Sequence, residues 1–196
     1  MGSDVVIHAA GVNRGTDQEI IVGSVITTHN LINHIERTKR KPHIIFISSI
    51  QAENDSVYGK SKRLAEIILE DASKRLAIPI AVLRLTNVFG ERGKPFYNSV
   101  VANFCHQIAQ GKDIQIKVDK KVQLLYIQDL INIIMQEIEN PGQGYTIKTI
   151  SSDDEILVSD LAAMIKSFPA RKARQLFNSS FEEKLYATYC SYGLHE

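Results

Sequence analysis

Residues 43–90 read HIIFISSIQAENDSVYGKSKRLAEIILEDASKRLAIPIAVLRLTNVFG. Two apolar runs, at 43–49 and 79–85, flank a stretch in which apolar residues recur at helical spacing. Near-continuous apolar strands that alternate with helices are typical of a parallel sheet covered on both faces. This stretch therefore predicts a strand, a helix over 57–76 and a second strand of an α/β fold.

The same alternation extends toward the N-terminus. DVVIHAAG (4–11) is a short apolar run that ends in small residues, which predicts a buried strand followed by a tight loop. Residues 17–40 have apolar side chains at approximately helical spacing. The first half of the chain thus predicts a Rossmann-like doubly wound parallel sheet, whose ligands gather beyond the carboxyl ends of the strands.

The second half is less regular and predicts a small C-terminal α+β part. We expect helices over 99–111, 129–139, 159–168 and about 180–190, and strands over 113–118, 122–127 and 145–150. Asp129 and Ser159 are predicted N-caps, and Gly111 is a predicted C-cap. The predicted division is a Rossmann-like part over 1–95, and over 96–196 a mixed α/β part with a helix returning to the sheet.

Composition narrows the class of protein. The chain has 196 residues, 44% of them hydrophobic, and a net charge of +1, which suits a globular core and argues against a nucleic-acid binder. No apolar stretch is long enough for a membrane-spanning helix, and the N-terminus lacks the pattern of a signal peptide. We therefore expect a cytoplasmic protein that does not bind a membrane.

Cysteines and histidines give no sign of a metal site. Cys105 and Cys190 lie far apart in the sequence, which is consistent with a reducing compartment. The six histidines form no ligand pattern with each other or with the cysteines. We expect no metal in this chain.

Three side chains near the second predicted strand suggest chemistry on a carbonyl or an alcohol. Tyr58 and Lys62 are four residues apart, so on a helix they share one face. An ammonium near a phenol favours the phenolate, which suits proton exchange near neutral pH. Ser49 ends the preceding strand and could hydrogen-bond the same substrate oxygen. Together they suit carbinol–carbonyl interconversion with a nicotinamide, although the YxxxK spacing alone is common on exposed helices.

The order HAAG (8–11), SSIQ (48–51), YGKSK (58–62) and RLTNVFG (84–90) resembles the extended short-chain dehydrogenase/reductase family. This family comprises nucleotide-sugar epimerases, dehydratases and reductases. The stretches HAAGVNR, FYNSVVANFCHQIAQG, YIQD and KLYATYCSYGL are most similar to reductases of capsular polysaccharide synthesis. The resemblance implies an NADPH-dependent reductase of a UDP-linked 4-keto-6-deoxy amino sugar, and NADH remains open as the cofactor. It also implies that 1–95 is a truncated Rossmann-like cofactor and catalytic part, and that 96–196 contains the substrate-binding subdomain.

The resemblance also implies roles for individual residues. Tyr58 would donate a proton to the C4 carbonyl of the sugar, and Ser49 would orient the keto oxygen. Lys62 would bind the nicotinamide ribose and lower the pKa of Tyr58. Tyr58 would also contact the cofactor, and the remaining implied cofactor-binding residues are His8, Ala9, Ala10, Gly11 and Leu85.

Asn87 would face the sugar nucleotide in this family, and weaker substrate candidates follow from neighbouring motifs. These candidates are Asn13, Arg14, Asn98 and Ser99, for which loop capping or solvated charge remains an alternative. Cys105 is expected to be a small core residue, and Tyr126 and Asp129 are expected to serve packing and capping. Relatives are commonly homodimers that pair through the YxxxK helix and its neighbour, so we expect a homodimer.

Two departures from the family pattern keep other functions open. None of the eleven glycines forms the GxxGxxG turn that binds the pyrophosphate, so the chain is expected to open at the fourth strand of the family's sheet. The metal-binding domain that carries epimerase activity in bifunctional relatives is also expected to be absent. The alternatives are an epimerase or dehydratase of the same family, or a non-catalytic, truncated dehydrogenase-like binding protein.

Overall fold

The computed structural model describes residues 3–152, 155–171 and 176–193. The chain divides into two compact units, Met1–Thr86 with Ile131–Ile150, and Asn87–Leu130 with Ser151–Glu196. The elements in chain order are β1 (Val5–His8), α1 (Asp17–Ile21), a π-helical turn (Val22–Ile26), α2 (Thr27–Thr38), β2 (His43–Ser49), a 3-10 turn (Ile50–Glu53), α3 (Val57–Leu76), β3 (Ile80–Leu85), β4 (Asn87–Phe89), α4 (Val100–Ala109), β5 (Lys121–Tyr126), α5 (Ile127–Glu139), β6 (Tyr145–Ile150), β7 (Glu155–Leu157), α6 (Val158–Ser167), a second 3-10 turn (Phe168–Ala170) and α7 (Ser180–Gly193).

The first unit contains a four-stranded, fully parallel sheet in the order β1-β2-β3-β6. The apolar runs of β2 and β3 lie at its centre, and α2 and α3 pack on it through a common core. That core includes Ile32, Ile35, Ile44, Phe46, Ala65, Leu69, Ala72 and Val82. The predicted α/β fold with a Rossmann-like parallel sheet is confirmed.

Helix α3 occupies the predicted range without change, because its signals are local. Ser56 caps its start, where the side-chain oxygen accepts a hydrogen bond from the Gly59 amide at 3.0 Å. The helix ends at Ala77, whose φ of 51° is left-handed. Its apolar stripe faces the sheet, so the residues of the YxxxK pattern are held on a rigid element.

The stretch predicted as one helix over 17–40 has a π-helical turn at Val22–Ile26 between α1 and α2. Thr16 begins α1 with a reciprocal capping box to Glu19. A Cβ atom on Gly23 would lie 2.5 Å from a methyl carbon of Val12, so only glycine allows this turn to pack so closely against the preceding loop.

The second unit has a three-stranded sheet in which β4 is parallel and β7 antiparallel to the central strand β5. Helices α4, α6 and α7 share a core with this sheet, formed by residues that include Phe104, Cys105, Leu161, Ile165, Phe168 and Leu185. The expectation that Cys105 is a core residue is confirmed, and burial raises the pKa of its thiol to about 12. Cys105 and Cys190 are both free thiols.

Three local predictions in the second half are wrong. Residues 113–118 form no strand: Ile114 packs into the core of the second unit, whereas Ile116 and Val118 are exposed. Helix α5 begins at Ile127, so Asp129 lies in its first turn, where its carboxylate accepts a hydrogen bond from Lys184 at 2.6 Å. Ser159 lies inside α6, and its amide donates to the Asp119 side chain at 2.9 Å, so a distant residue supplies the cap. Gly111 follows α4 with a left-handed φ of 65°, as predicted.

The described parts of the chain contain neither a membrane-spanning helix nor a cluster of metal ligands. None of their helices is long and apolar enough to cross a membrane. Nor do three or more His, Cys, Asp or Glu side chains come together there as a set of metal ligands.

Candidate active site

The first unit brings the predicted catalytic residues to the carboxyl edge of its parallel sheet. Ser49 ends β2 and pairs in register with Leu85, the last residue of β3. The Ser49 hydroxyl accepts a hydrogen bond from the Gln51 amide at 3.2 Å, which begins the 3-10 turn. Tyr58 stands in the first turn of α3 and is partly exposed. The edge of the sheet and the start of the helix therefore meet through the short segment 50–56.

Gly59 permits the close approach between that turn and α3. A Cβ atom at this position would lie 2.1 Å from the Gln51 carbonyl oxygen and 2.4 Å from the Asn54 side-chain oxygen. The backbone conformation of Gly59 is helical, so the requirement is for space. Gly59, the neighbour of Tyr58, thus allows the start of α3 to lie close to the turn that follows β2.

We expect Gly59→Ala to lower the free energy of unfolding by about 2 kcal/mol or more, because a backbone oxygen must move to admit the methyl group. The measurement is chemical denaturation monitored by circular dichroism. Ala is normally the better helix former, so a gain of stability would show that the contact relaxes freely. Ser61→Ala is not a suitable control because the Ser61 hydroxyl donates to the Tyr58 carbonyl; Lys60→Ala, at an exposed position of the same turn, is suitable.

Lys62 is a buried cation whose pKa is lowered by its surroundings. Only 3% of its surface is exposed, and its Nζ donates a hydrogen bond to the Ile47 carbonyl at 2.9 Å. The same nitrogen lies 4.8 Å from the centre of the Phe46 ring and 5.9 Å from that of Tyr58. Burial lowers the pKa of Lys62 to about 8, and the negative charge of Glu66 opposes this shift. Lys62 therefore remains mainly charged at neutral pH.

The loop after β1 passes beside the Lys62 ammonium. Ala9, Ala10 and Gly11 are exposed there. A Cβ atom on Gly11 would lie 3.0 Å from Lys62 Nζ and 3.5 Å from the Ser24 hydroxyl oxygen. Glycine thus keeps open a space next to the ammonium that any other side chain would fill. The space is bordered by small residues, so a dinucleotide would be able to come close to the protein backbone here.

His8, which the family resemblance places against the dinucleotide, has its ring inside the first unit. The ring centre lies 5.1 Å from that of Phe46, and Nε2 is 2.8 Å from the Thr28 hydroxyl oxygen. Because that hydroxyl donates to the Ser24 carbonyl at 2.7 Å, we assign the proton to Nε2 of His8. Burial, followed by the charge of Lys62, lowers the pKa of His8 to about 4, so its ring is neutral at physiological pH.

Several buried polar atoms in the first unit meet no hydrogen-bond partner within the described residues. They are Asn13 Oδ1, Ser24 Oγ and Thr86 Oγ1 near the carboxyl ends of the strands, and His43 Nδ1 at the start of β2. Asn13 is a predicted substrate residue, whereas Ser24 and Thr86 are not among the site residues predicted from the sequence. Thr86 directly follows Leu85 in the RLTN motif, so its place in that motif was the available signal. Arg14 is exposed.

The other predicted substrate residues belong to the second unit. The Asn87 side chain donates to the Gln123 carbonyl at 3.2 Å and thereby links β4 to β5. Ser99 is the N-cap of α4, where it accepts from the Ala102 amide at 3.3 Å, and Asn98 precedes it on the surface. Tyr126 donates to the Glu91 carboxylate at 2.5 Å.

The second unit also contains a cavity of about 900 Å³. None of the residues predicted from the sequence to bind substrate lines it. Its lining includes Glu91, Arg92, His106, Cys190 and Tyr192.

The sequence matches one family model over residues 1–150, and that model describes the NAD dependent epimerase/dehydratase family. The chain belongs to this family. A UDP-2-acetamido-2,6-beta-L-arabino-hexul-4-ose reductase of Pseudomonas aeruginosa is 33% identical over 96% of this chain and 52% of its own length. This relative acts on a UDP-linked keto sugar, as its name states.

Solved structures support the same assignment of fold. The capsular polysaccharide assembling protein CapF of Staphylococcus aureus is 30% identical, with a TM-score of 0.82 over 97% of this chain and 52% of the other. RMD of Pseudomonas aeruginosa, solved with NADPH, has a TM-score of 0.83 at 17% identity, which shows a shared fold. The chain spans about half the length of the Pseudomonas aeruginosa reductase and of CapF.

Proposed function

We propose that this chain carries the catalytic residues of an NADPH-dependent reductase that acts on a UDP-linked 4-keto-6-deoxy amino sugar in surface polysaccharide synthesis. The observation that carries the proposal is the buried Lys62 ammonium, held between the Ile47 carbonyl and the Gly11 loop, one helical turn from Tyr58. A buried, charged lysine needs a reason to be retained, and binding a polar ligand beside Gly11 supplies one. The relationship to a reductase of a UDP-linked keto sugar supports the substrate class.

The side chains suggest a division of labour. Tyr58 gives its phenolic proton to the carbonyl oxygen of the sugar, while the Ser49 hydroxyl donates a hydrogen bond to the same oxygen and orients it. The positive charge of Lys62 stabilises the phenolate that Tyr58 becomes after the proton has left. Lys62 also donates to a ribose hydroxyl through an N–H that the Ile47 carbonyl does not use, since an ammonium has three donors.

The residues beside Lys62 fit the nicotinamide half of the cofactor. Because Ala9, Ala10 and Gly11 have small side chains or none, the ribose of the cofactor would be able to approach the backbone at the edge of the sheet. Leu85 would border the nicotinamide. When bound, NADPH supplies the hydride for the reduction. The described residues contain no glycine-rich GxxGxxG turn for the pyrophosphate, so we expect weaker cofactor binding than a complete dinucleotide site gives.

The decisive experiment is titration of the purified chain with NADPH, followed by fluorescence, and then addition of a UDP-linked 4-keto-6-deoxy amino sugar. Micromolar to high-micromolar binding and oxidation of NADPH in proportion to sugar consumed would support the proposal. Absence of binding up to millimolar NADPH would refute the proposal for this chain and favour a non-catalytic role. Interconversion of sugar epimers without net oxidation of NADPH would assign the chain to the epimerases of its family.

We also propose that the protein acts as a homodimer, with α3 at the interface. Leu64 and Ile67 are one turn apart on α3 and are 47% and 55% exposed, which leaves apolar surface available to a second copy. Sedimentation of wild-type protein and of Leu64→Glu tests this, since a charged residue in such an interface favours the monomer. A cytoplasmic location stays a prediction.

A further inference from the structure

Glu66 is a buried carboxylate that the proposed reaction does not use. It lies one turn after Lys62 on the buried face of α3, and only 3% of its surface is exposed. A charged group is costly to bury unless it is paired and hydrogen-bonded. The hydrogen-bond partners of the Glu66 carboxylate therefore indicate its role.

Both carboxylate oxygens of Glu66 have partners on the sheet. Oε1 accepts from the Ser48 hydroxyl at 2.6 Å and from Arg84 Nε at 3.1 Å, and Oε2 accepts from Arg84 Nη2 at 2.7 Å. Ser48 and Arg84 pair in register on β2 and β3. One carboxylate thus joins the ends of two strands to the helix that carries Tyr58 and Lys62, with Ser49 directly after Ser48.

The charges around this carboxylate come from several elements. Arg84 on β3 is its direct partner and also donates to the exposed Glu53 on the 3-10 turn at 2.7 Å. From β6, the Tyr145 hydroxyl donates to the Glu66 main-chain carbonyl at 3.2 Å. Lys62 is the cation one turn away, and the neutral His8 faces Lys62 from β1. Glu66 is thus paired directly with one cation, Arg84, and lies one helical turn from a second cation, Lys62, which belongs to the proposed site.

We propose that Glu66 is a positioning residue of the site, whose buried carboxylate fixes the ends of β2 and β3 against α3 and serves as the counter-charge of Lys62. Its catalytic meaning rests on the proposed function, because it matters for turnover only if Lys62 binds the cofactor. The counter-charge itself can be tested on the protein alone.

The test is the pH titration of Lys62, followed by NMR of protein labelled at the lysine Cε carbons, with Lys62→Met used to assign the signal. We expect Glu66→Gln to lower the titration midpoint of Lys62 by about one pH unit, because an attractive charge within about one turn is removed. We expect Arg84→Gln to raise it, because the carboxylate then acts on Lys62 without competition. Glu70→Gln, on the same helix and paired with Lys74, should leave it unchanged.

These signs separate the proposal from a merely structural role. If Glu66→Gln only loosened the packing, water would reach Lys62 and its midpoint would rise toward the ordinary lysine value of about 10.5. A rise, or no change, in Glu66→Gln would overturn the proposal. Should Glu66→Gln not fold, the double variant Glu66→Gln, Arg84→Gln leaves no unpaired charge, and its midpoint must lie below that of Arg84→Gln alone. None of these outcomes depends on cofactor binding, so failure of the proposed function would be recognised separately in the NADPH titration.

Discussion

Tyr58→Phe is expected to lower the rate of ketone reduction by about 10²- to 10⁴-fold, because it removes the proton donor and leaves the ring in place. The hydroxyl is the only group that the substitution deletes, and Tyr58 is partly exposed, so the free energy of unfolding should change by less than about 1 kcal/mol. NADPH binding should change by less than about threefold, since Lys62 and the Gly11 loop remain.

The measurement is the single-turnover rate of NADPH oxidation with a UDP-linked 4-keto sugar at saturating concentrations. Tyr189→Phe is a matched control, because Tyr189 is a partly buried tyrosine of α7 whose ring packs 5.7 Å from that of Phe168. It should retain nearly the full rate. A Tyr58→Phe rate within threefold of wild type would remove Tyr58 from the proposed mechanism.

Lys62→Met is expected to stabilise the fold by about 2 kcal/mol at pH 7 while it weakens NADPH binding by at least about tenfold. A pKa of about 8 in the folded chain, against about 10.5 for an ordinary lysine, corresponds to a cost of about 3 kcal/mol for keeping the ammonium buried. Methionine avoids that cost and fills similar space, and the lost hydrogen bond to Ile47 offsets about 1 kcal/mol.

The sign of the pH dependence gives this prediction a second test. Between about pH 8 and 10.5 the unfolded wild-type chain binds more protons at Lys62 than the folded chain does, so wild-type stability should rise with pH there. Lys62→Met should lack that rise, and the two stabilities should converge by about pH 10.5. Chemical denaturation at pH 7 and pH 10.5 measures both quantities.

Lys60→Met is the matched control, because Lys60 is an exposed lysine on the same helix. It should change neither the stability nor its pH dependence appreciably. If Lys62→Met instead destabilised the chain at pH 7, the buried ammonium would be a net stabilising group, and its retention would need no functional reason.

The sequence was most informative where one short segment contains all the necessary signals. Helix α3 has its cap, apolar stripe and end within residues 56–77, and its predicted range is confirmed. The parallel order of β1, β2 and β3 followed in the same way from apolar runs that alternate with helices. The spacing of Tyr58 and Lys62 likewise placed them one turn apart on a single face.

Features that depend on distant residues could not be predicted in this way. The cap of α6 comes from Asp119, about 40 positions before Ser159. Residues 113–118 contribute Ile114 to a core that is formed by distant elements, and they add no strand to the sheet. Similarly, the Glu66 cluster joins three elements, and each residue alone looks like an ordinary polar side chain. The inward position of the His8 ring depends on its hydrogen bond to Thr28, a residue 20 positions away at the start of α2, just after the π-helical turn.

That π-helical turn also limits how the chain can change in length during evolution. Each residue of an α-helix advances about 100° around the axis, and a π-helical turn takes up one residue more than an α-helical turn. Removing one residue from Val22–Ile26 can therefore leave the phase of α2 unchanged, whereas removing two would rotate α2 by about 100° relative to α1. After a two-residue deletion Thr28 would lose its contact with His8, and Ile32 and Ile35 would leave the core. Surface loops elsewhere in the protein can tolerate insertions and deletions of varied length, whereas this five-residue turn can accept the loss of one residue but not of two.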